Sequence, residues 1–138
     1  MTVPLFLETK GDKSGAPARI AGMRLTQPEM QAMRDHAKAL FVIDVVSHAT
    51  GILPADIMSA SRNNARAARA RQMAMYLTYI TYQWPLARIG TAFRRDRTTA
   101  GHACRLIEDL RDDRVIDREL DRMEACLKNA PEPLAIMC

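Results

Sequence analysis

The sequence is poor in aromatic residues: they make up 5% of its 138 positions. Aliphatic and methionine side chains must therefore fill most of any core. Cysteine is scarce and odd in number. Cys104, Cys126 and Cys138 show no metal-ligand spacing and give no disulfide framework, so a reduced, cytoplasmic setting is expected. No apolar run approaches the length of a membrane span, and no membrane partner is expected. Met1 to Leu7 is too short, and lacks the leading charges, for a secretory signal. Catalytic patterns are missing as well. There is no Ser/His/Asp order, no paired-carboxylate motif and no H-E-x-x-H helix. The three histidines, His36, His48 and His102, are scattered over two regions and make no metal site. No G-x-x-x-x-G-K-S/T loop occurs, so no nucleotide site is expected. The chain reads as a non-enzyme that takes no cofactor and no metal.

Acidic residues are nearly absent from the middle of the chain. Between Ser61 and Arg105 stand nine arginines against one acid, Asp96, a balance of +8. Residues 1–60 balance to zero, and residues 106–138 come to −4. A basic middle between a neutral head and an acidic end points to nucleic acid at the middle segment. A merely solvated basic face is the alternative.

What is there is helical. Residues 1–24, with Gly11, Gly15, Pro17 and scattered charges, read as a flexible arm. Thr26-Gln27-Pro28-Glu29 is a capping box with proline in the first turn. The helix that follows is expected to run to about Ala49, with Met33, Ala37, Leu40, Phe41 and Val45 as its apolar stripe, broadened by Val42, Ile43 and Val46. Pro54 to Ala60 reads as a short helix, Arg62 to Ala68 as a basic loop, and Arg69 to about Tyr82 as a long helix with Met73, Leu77 and Ile80 on one face. Trp84, before Pro85, is placed to staple the next helix entry rather than to stack on DNA. Val115 to Asn129 reads as a final helix, ended by Pro131 and Pro133, with an apolar tail. There is no internal repeat and no convincing strand.

The segment Arg88 to Cys104, RIGTAFRRDRTTAGHAC, is the most informative. A short apolar helix (Ile89, Ala92, Phe93) meets a polar turn, and a second helix opens on Asp96-Arg97-Thr98-Thr99. This is a helix-turn-helix pattern, whose second helix normally enters the DNA major groove. Arg suits guanine, Thr bonds several bases or touches the thymine methyl, and Asp accepts from cytosine. Asp96 alternatively caps the helix. The recognition helix is expected to run to about Asp112, with Ala103, Leu106, Ile107 and Leu110 turned to the core.

Three ordered motifs, RQMAMYL (Arg71 to Leu77), IGTAF (Ile89 to Phe93) and RDRTTAGHAC (Arg95 to Cys104), resemble the C-terminal DNA-binding domain of the bacterial replication initiator DnaA, as does DIMSASR (Asp56 to Arg62) upstream. The resemblance runs from about residue 27 to 112. It implies an all-α, Trp-repressor-like helical domain over residues 25–113, with the arm before it and a C-terminal helix and tail (114–138) after it. It departs from the family pattern at several points. The glycine pair of the turn is reduced to Arg94, the histidine of R-D-H-T-T is Arg97, and Ala100 and Gly101 follow. The proline of the L-P pair at Leu86 is Ala87. The initiator's ATPase is missing, so the domain reads as free-standing.

The resemblance also implies roles. Asp96, Arg97, Thr98 and Thr99 are the candidate base readers. Arg69 is the candidate minor-groove arginine, suited to a narrow A·T-rich groove. Arg62, Arg66, Arg71, Arg94, Arg95 and His102 are candidate phosphate contacts, which orient without specifying. Double-stranded DNA is the expected partner. Similarity extends to DnaA-like subunits of phage-derived gene-transfer-agent activators, which implies RNA polymerase and a sigma-like protein as further partners. A transcription regulator is the first reading. Replication control at initiator boxes is the second, and an interaction module that has lost DNA binding is the third.

Overall fold

The computed structural model describes residues 24–59 and 64–131. Its regular elements are all helices: α1 (Gln27–Thr50), α2 (Pro54–Met58), α3 (Ala65–Tyr82), α4 (Leu86–Phe93), α5 (Arg97–Leu110) and α6 (Arg114–Asn129). The expected all-α class with a helix-turn-helix is what the chain forms. Two units are distinguished, Met1–Met33 and Arg34–Cys138. In the first, the capping box is realised: the Glu29 amide donates to Thr26 Oγ1 at 3.2 Å and the Thr26 amide donates to Glu29 Oε2 at 2.8 Å. The expected arm lies outside the described residues up to Met23, as do Arg62 and the apolar tail.

The second unit holds the core, with α3 at its centre. This helix packs on α2, α4, α5 and α6. Its small residues Ala67, Ala70 and Ala74 are buried and let its neighbours approach, while Met75 and Leu77 fill the space between them. α3 begins earlier than the sequence suggests. The Asn64 side chain accepts from the Ala67 amide at 3.1 Å and caps a run rich in Ala and Arg, both strong helix formers. Residues 65–68, expected as loop, are therefore helix, and Arg66 and Arg69 lie in its first turns. The helix ends on Gln83, in the left-handed region at φ 57°.

The buried face of α1 also differs from expectation. Ala39, Val42, Ile43 and Val46 join the core, whereas Leu40 is 41% exposed. Apolar residues surround this part of α1, so periodicity alone does not choose the seam. His36 and His48 are exposed. From α6, Leu120, Met123 and Leu127 enter the core, but Val115 does not. The acidity of the C-terminal third gathers at the α5–α6 junction (Glu108, Asp109, Asp112, Asp113), because the charges of α6 itself balance. Among the described residues no helix is long and apolar enough to cross a membrane, and no cluster of metal-ligating side chains forms.

Candidate nucleic-acid interface

The helix-turn-helix is built from α4, a three-residue turn (Arg94 to Asp96) and α5. Gly90 makes the close approach possible. A Cβ there would stand 2.6 Å from the Arg95 carbonyl oxygen and 3.1 Å from the Asp96 carbonyl carbon, both main-chain atoms. The Arg95 amide donates to the Gly90 carbonyl at 2.8 Å, fixing the turn to α4. Arg94 ends α4 in the left-handed conformation (φ 57°, ψ 42°), the position where the family pattern carries glycine. A non-glycine residue there costs about 1–2 kcal/mol. α5 crosses α4 tightly at Gly101, where a Cβ would lie 3.3 Å from Leu86 Cδ1.

α4 is held from behind. Arg88 makes a bidentate pair with Asp35 of α1, at 2.8 and 2.7 Å, and its guanidinium lies 4.2 Å from the ring centre of Trp84. The Asp35 bonds raise the Arg88 pKa. Trp84 is 4% exposed, so it acts in the core at the helix entry, in line with the staple expected of it. The far end of α5 is tied by a polar cluster. The Tyr76 hydroxyl of α3 donates to Glu108, Arg111 donates to that hydroxyl at 3.2 Å, and Arg111 also pairs with Asp117 and Asp121 of α6. Burial first, then the bond to Glu108, pushes the Tyr76 phenol up to about 12.

The near end of α5 carries the predicted readers. Asp96 is the N-cap, and its carboxylate accepts from the Thr99 amide at 2.7 Å. That backbone bond holds its carboxyl below the usual aspartate range. Asp96 therefore has a capping function in the chain itself. Arg97, Thr98 and Thr99 are exposed in the first turn, and Arg97 has no partner among the described residues. His102 follows one turn on, also exposed. Arg105, exposed on the next turn, extends the same basic row and was not singled out from sequence. Its spacing from Thr98, two helical turns, was the available signal. Beyond it the row turns acidic at Glu108 and Asp109.

The remaining candidates separate into two groups. Arg66, Arg69 and Arg94 are exposed, and Arg69 is held by Gln72 at 3.2 Å. Arg69 sits within α3, not in a preceding loop. Arg71, expected as an open clamp, is 9% exposed and turned inward, donating to the Ile57 and Ser59 carbonyls at 2.7 Å each. Arg95 is half-buried and reaches the same Ser59 oxygen at 2.8 Å. Burial, then the nearby Arg95 charge, lowers the Arg71 pKa. Cys104 faces the core, where burial pushes its thiol up to about 11.

A short helix, a three-residue turn and a longer helix with a capped, basic, uncovered first turn define a helix-turn-helix domain. Residues 41–107 match the family described as the bacterial DnaA protein helix-turn-helix, and this segment is a domain of the DnaA C-terminal kind. The chain is 40% identical over 115 residues to the chromosomal replication initiator protein DnaA of Caulobacter sp. (strain K31), an alignment covering 76% of this chain and 23% of that protein. It is 47% identical over 55 residues to the DnaA of Psychromonas ingrahamii, covering 39% of this chain and 12% of that one. The chain thus spans about a quarter of the length of the curated Caulobacter relatives it matches. The crystal structure of a DNA replication initiation factor superposes with a TM-score of 0.65 at 26% identity, over 74% of this chain and 32% of that one.

Proposed function

We propose that this protein binds double-stranded DNA sequence-specifically and regulates transcription, with α5 in the major groove. The observation that carries the reading is the first turn of α5. Arg97, Thr98 and Thr99 stand exposed on a capped helix end, and Arg97 has no competing partner among the described residues. Arg97 pairs with guanine, and the two threonines read a neighbouring base or thymine methyl. Asp96 positions them by capping. Arg94, His102 and Arg105 flank the readers and contact phosphates, as does Arg66, while Arg69 enters the adjacent minor groove. The division of labour follows residues 25–113 as the reader, with the arm and the C-terminal segment as auxiliary surfaces. An activator of this kind works with RNA polymerase and a sigma-like partner, in the cytoplasm at the nucleoid.

Replication control is a second reading, favoured by the relatives, which are replication initiators. Such a protein occupies initiator boxes and competes with the full-length initiator. The absence of a nucleotide-binding loop from the sequence is compatible with both readings. Genome-wide occupancy by chromatin immunoprecipitation separates them. Sharp peaks at a few promoters support the regulator, and peaks at the origin support replication control. Absence of peaks in expressing cells sinks both and leaves an interaction module.

A further inference from the structure

A groove of about 360 Å³ is walled by the end of α1, by Ile52 beyond it and by the first half of α3. That volume lies at the lower end of the range of small-molecule sites, about 300–1,000 Å³. The wall is mostly apolar, with Ile52, Ala65, Ala70 and Met73. The Thr50 hydroxyl on the same wall is already engaged. It donates to the Val46 carbonyl at 2.8 Å and accepts from the Ile52 amide at 3.3 Å. The other polar groups at the groove are the guanidiniums of Arg66 and Arg69. Helical spacing puts them there. Residues 66, 69, 70 and 73 stand at i, i+3, i+4 and i+7 and share one face of α3. Both arginines are exposed, and neither is paired with a carboxylate among the described residues. Arg69 Nε donates to Gln72 Oε1 at 3.2 Å, which steadies the guanidinium and leaves its terminal nitrogens without a partner among the described residues.

We propose that this groove binds a small aromatic carboxylate, its ring against Ile52, Ala70 and Met73 and its carboxylate on Arg66 and Arg69. Charge complementarity selects the anion. Two like charges one turn apart repel each other, and a carboxylate between them turns repulsion into attraction. The wall selects the ring. A thioether favours the edge of an aromatic ring, and guanidinium planes stack on its face. A ligand with a polar body is disfavoured, because the Thr50 hydroxyl is engaged and leaves that body unpaired. Neither α4 nor α5 contributes to the wall, so the site is separate from the first turn of α5. One consequence rests on the DNA-binding reading, whereas the groove does not. A ligand on Arg69 occupies the arginine proposed for the minor groove, so ligand and duplex exclude each other.

The test uses the full isotope-labelled chain, with naphthoate as probe and amide chemical shifts as readout. The controls are naphthylmethanol, which keeps the rings and loses the charge, and octanoate, which keeps the charge and loses the rings. Saturable shifts should centre on residues 50–52 and 65–73. Naphthoate should bind about tenfold more tightly than the alcohol and about threefold more tightly than octanoate. Arg66→Gln combined with Arg69→Gln should weaken it about tenfold. Ala65→Phe, which fills the groove from an exposed position, should abolish the saturable shifts. The spectra themselves report whether each variant folds, and if Ala65→Phe does not, the arginine pair decides. Absence of saturable shifts at the groove overturns the proposal, as does equal affinity of naphthoate and either control. Duplex binding is read separately by fluorescence anisotropy, and naphthoate should displace a labelled duplex. Groove binding in a chain that binds no duplex keeps the site and sinks the DNA reading. Duplex binding without shifts at the groove does the reverse.

Discussion

The two ends of α5 are treated in opposite ways. At its start, Arg97, Thr98 and Thr99 are held by a single cap and otherwise face solvent. At its finish, Glu108 and Arg111 are drawn into a cluster with Tyr76, Asp117 and Asp121 from two other helices. One end leaves its donors unspent and the other consumes them internally. A helix that must present side chains to a partner without rearranging needs both: open groups where it meets the partner and fixed groups where it meets its own protein.

Substitutions can break this contrast or sharpen it. The largest effect is expected at Gly90→Ala. Its methyl meets main-chain atoms of the turn, so the α4–α5 angle must give. We expect a loss of about 3 kcal/mol in chemical denaturation and of specific DNA binding together. Next come changes at the two ends of α5. Arg97→Ala should weaken specific binding by about 1–3 kcal/mol while leaving stability within about 0.5 kcal/mol. Arg111→Met should do the opposite, lowering stability by about 1–2 kcal/mol, since its aspartates are half exposed, and leaving base preference unchanged. Equal losses on specific and random duplex for Arg97→Ala would remove it from the readers. Arg94→Gly is smaller and mixed. Relief of the left-handed backbone should raise stability by up to about 1 kcal/mol, while loss of one phosphate contact makes the slope of log affinity against log salt shallower by about 1. The smallest effect is a change of pH profile. Asp96 has a lowered folded pKa, so its contribution is present above the ordinary aspartate range and is lost as pH falls through the folded value. Asp96→Asn keeps a cap that does not titrate, so its melting temperature should fall less than the wild type's between about pH 5 and pH 2.

Local signals carried much of the fold. The Thr26–Glu29 box, the Asp96 cap, the three-residue turn and the order of helices follow from residue types at short spacing. Two things did not. The start of α3 was hidden because its arginines suggested a loop, whereas alanine propensity and the Asn64 cap carry the helix back to Ala65. The face of α1 was hidden because Leu40 and Ala39 compete for the core and the smaller one fits. The site was legible in place but not in detail. Sequence counts nine arginines alike; structure separates them by reach. Arg88 finds Asp35 and Trp84, and Arg71 finds the end of α2, through contacts far apart in the chain. Among the described residues, five arginines of that segment, Arg66, Arg69, Arg94, Arg97 and Arg105, are exposed. The salt dependence expected from so few contacts is roughly 10²–10³-fold between 50 and 200 mM, milder than the total charge suggests.

Trp84 is the only tryptophan in the chain. It lies buried beneath the Arg88 guanidinium, with its ring centre 5.6 Å from that of Tyr82. Its emission therefore reports one place, the back of α4, and does so without a label. Exposure of that indole to water on unfolding shifts the emission to longer wavelength, giving each variant its own optical thermometer. A ligand arriving at the first turn of α5 approaches a different part of the domain. Fluorescence can thus follow the scaffold while anisotropy of a labelled duplex follows the reader, and the two signals can be collected from one cuvette.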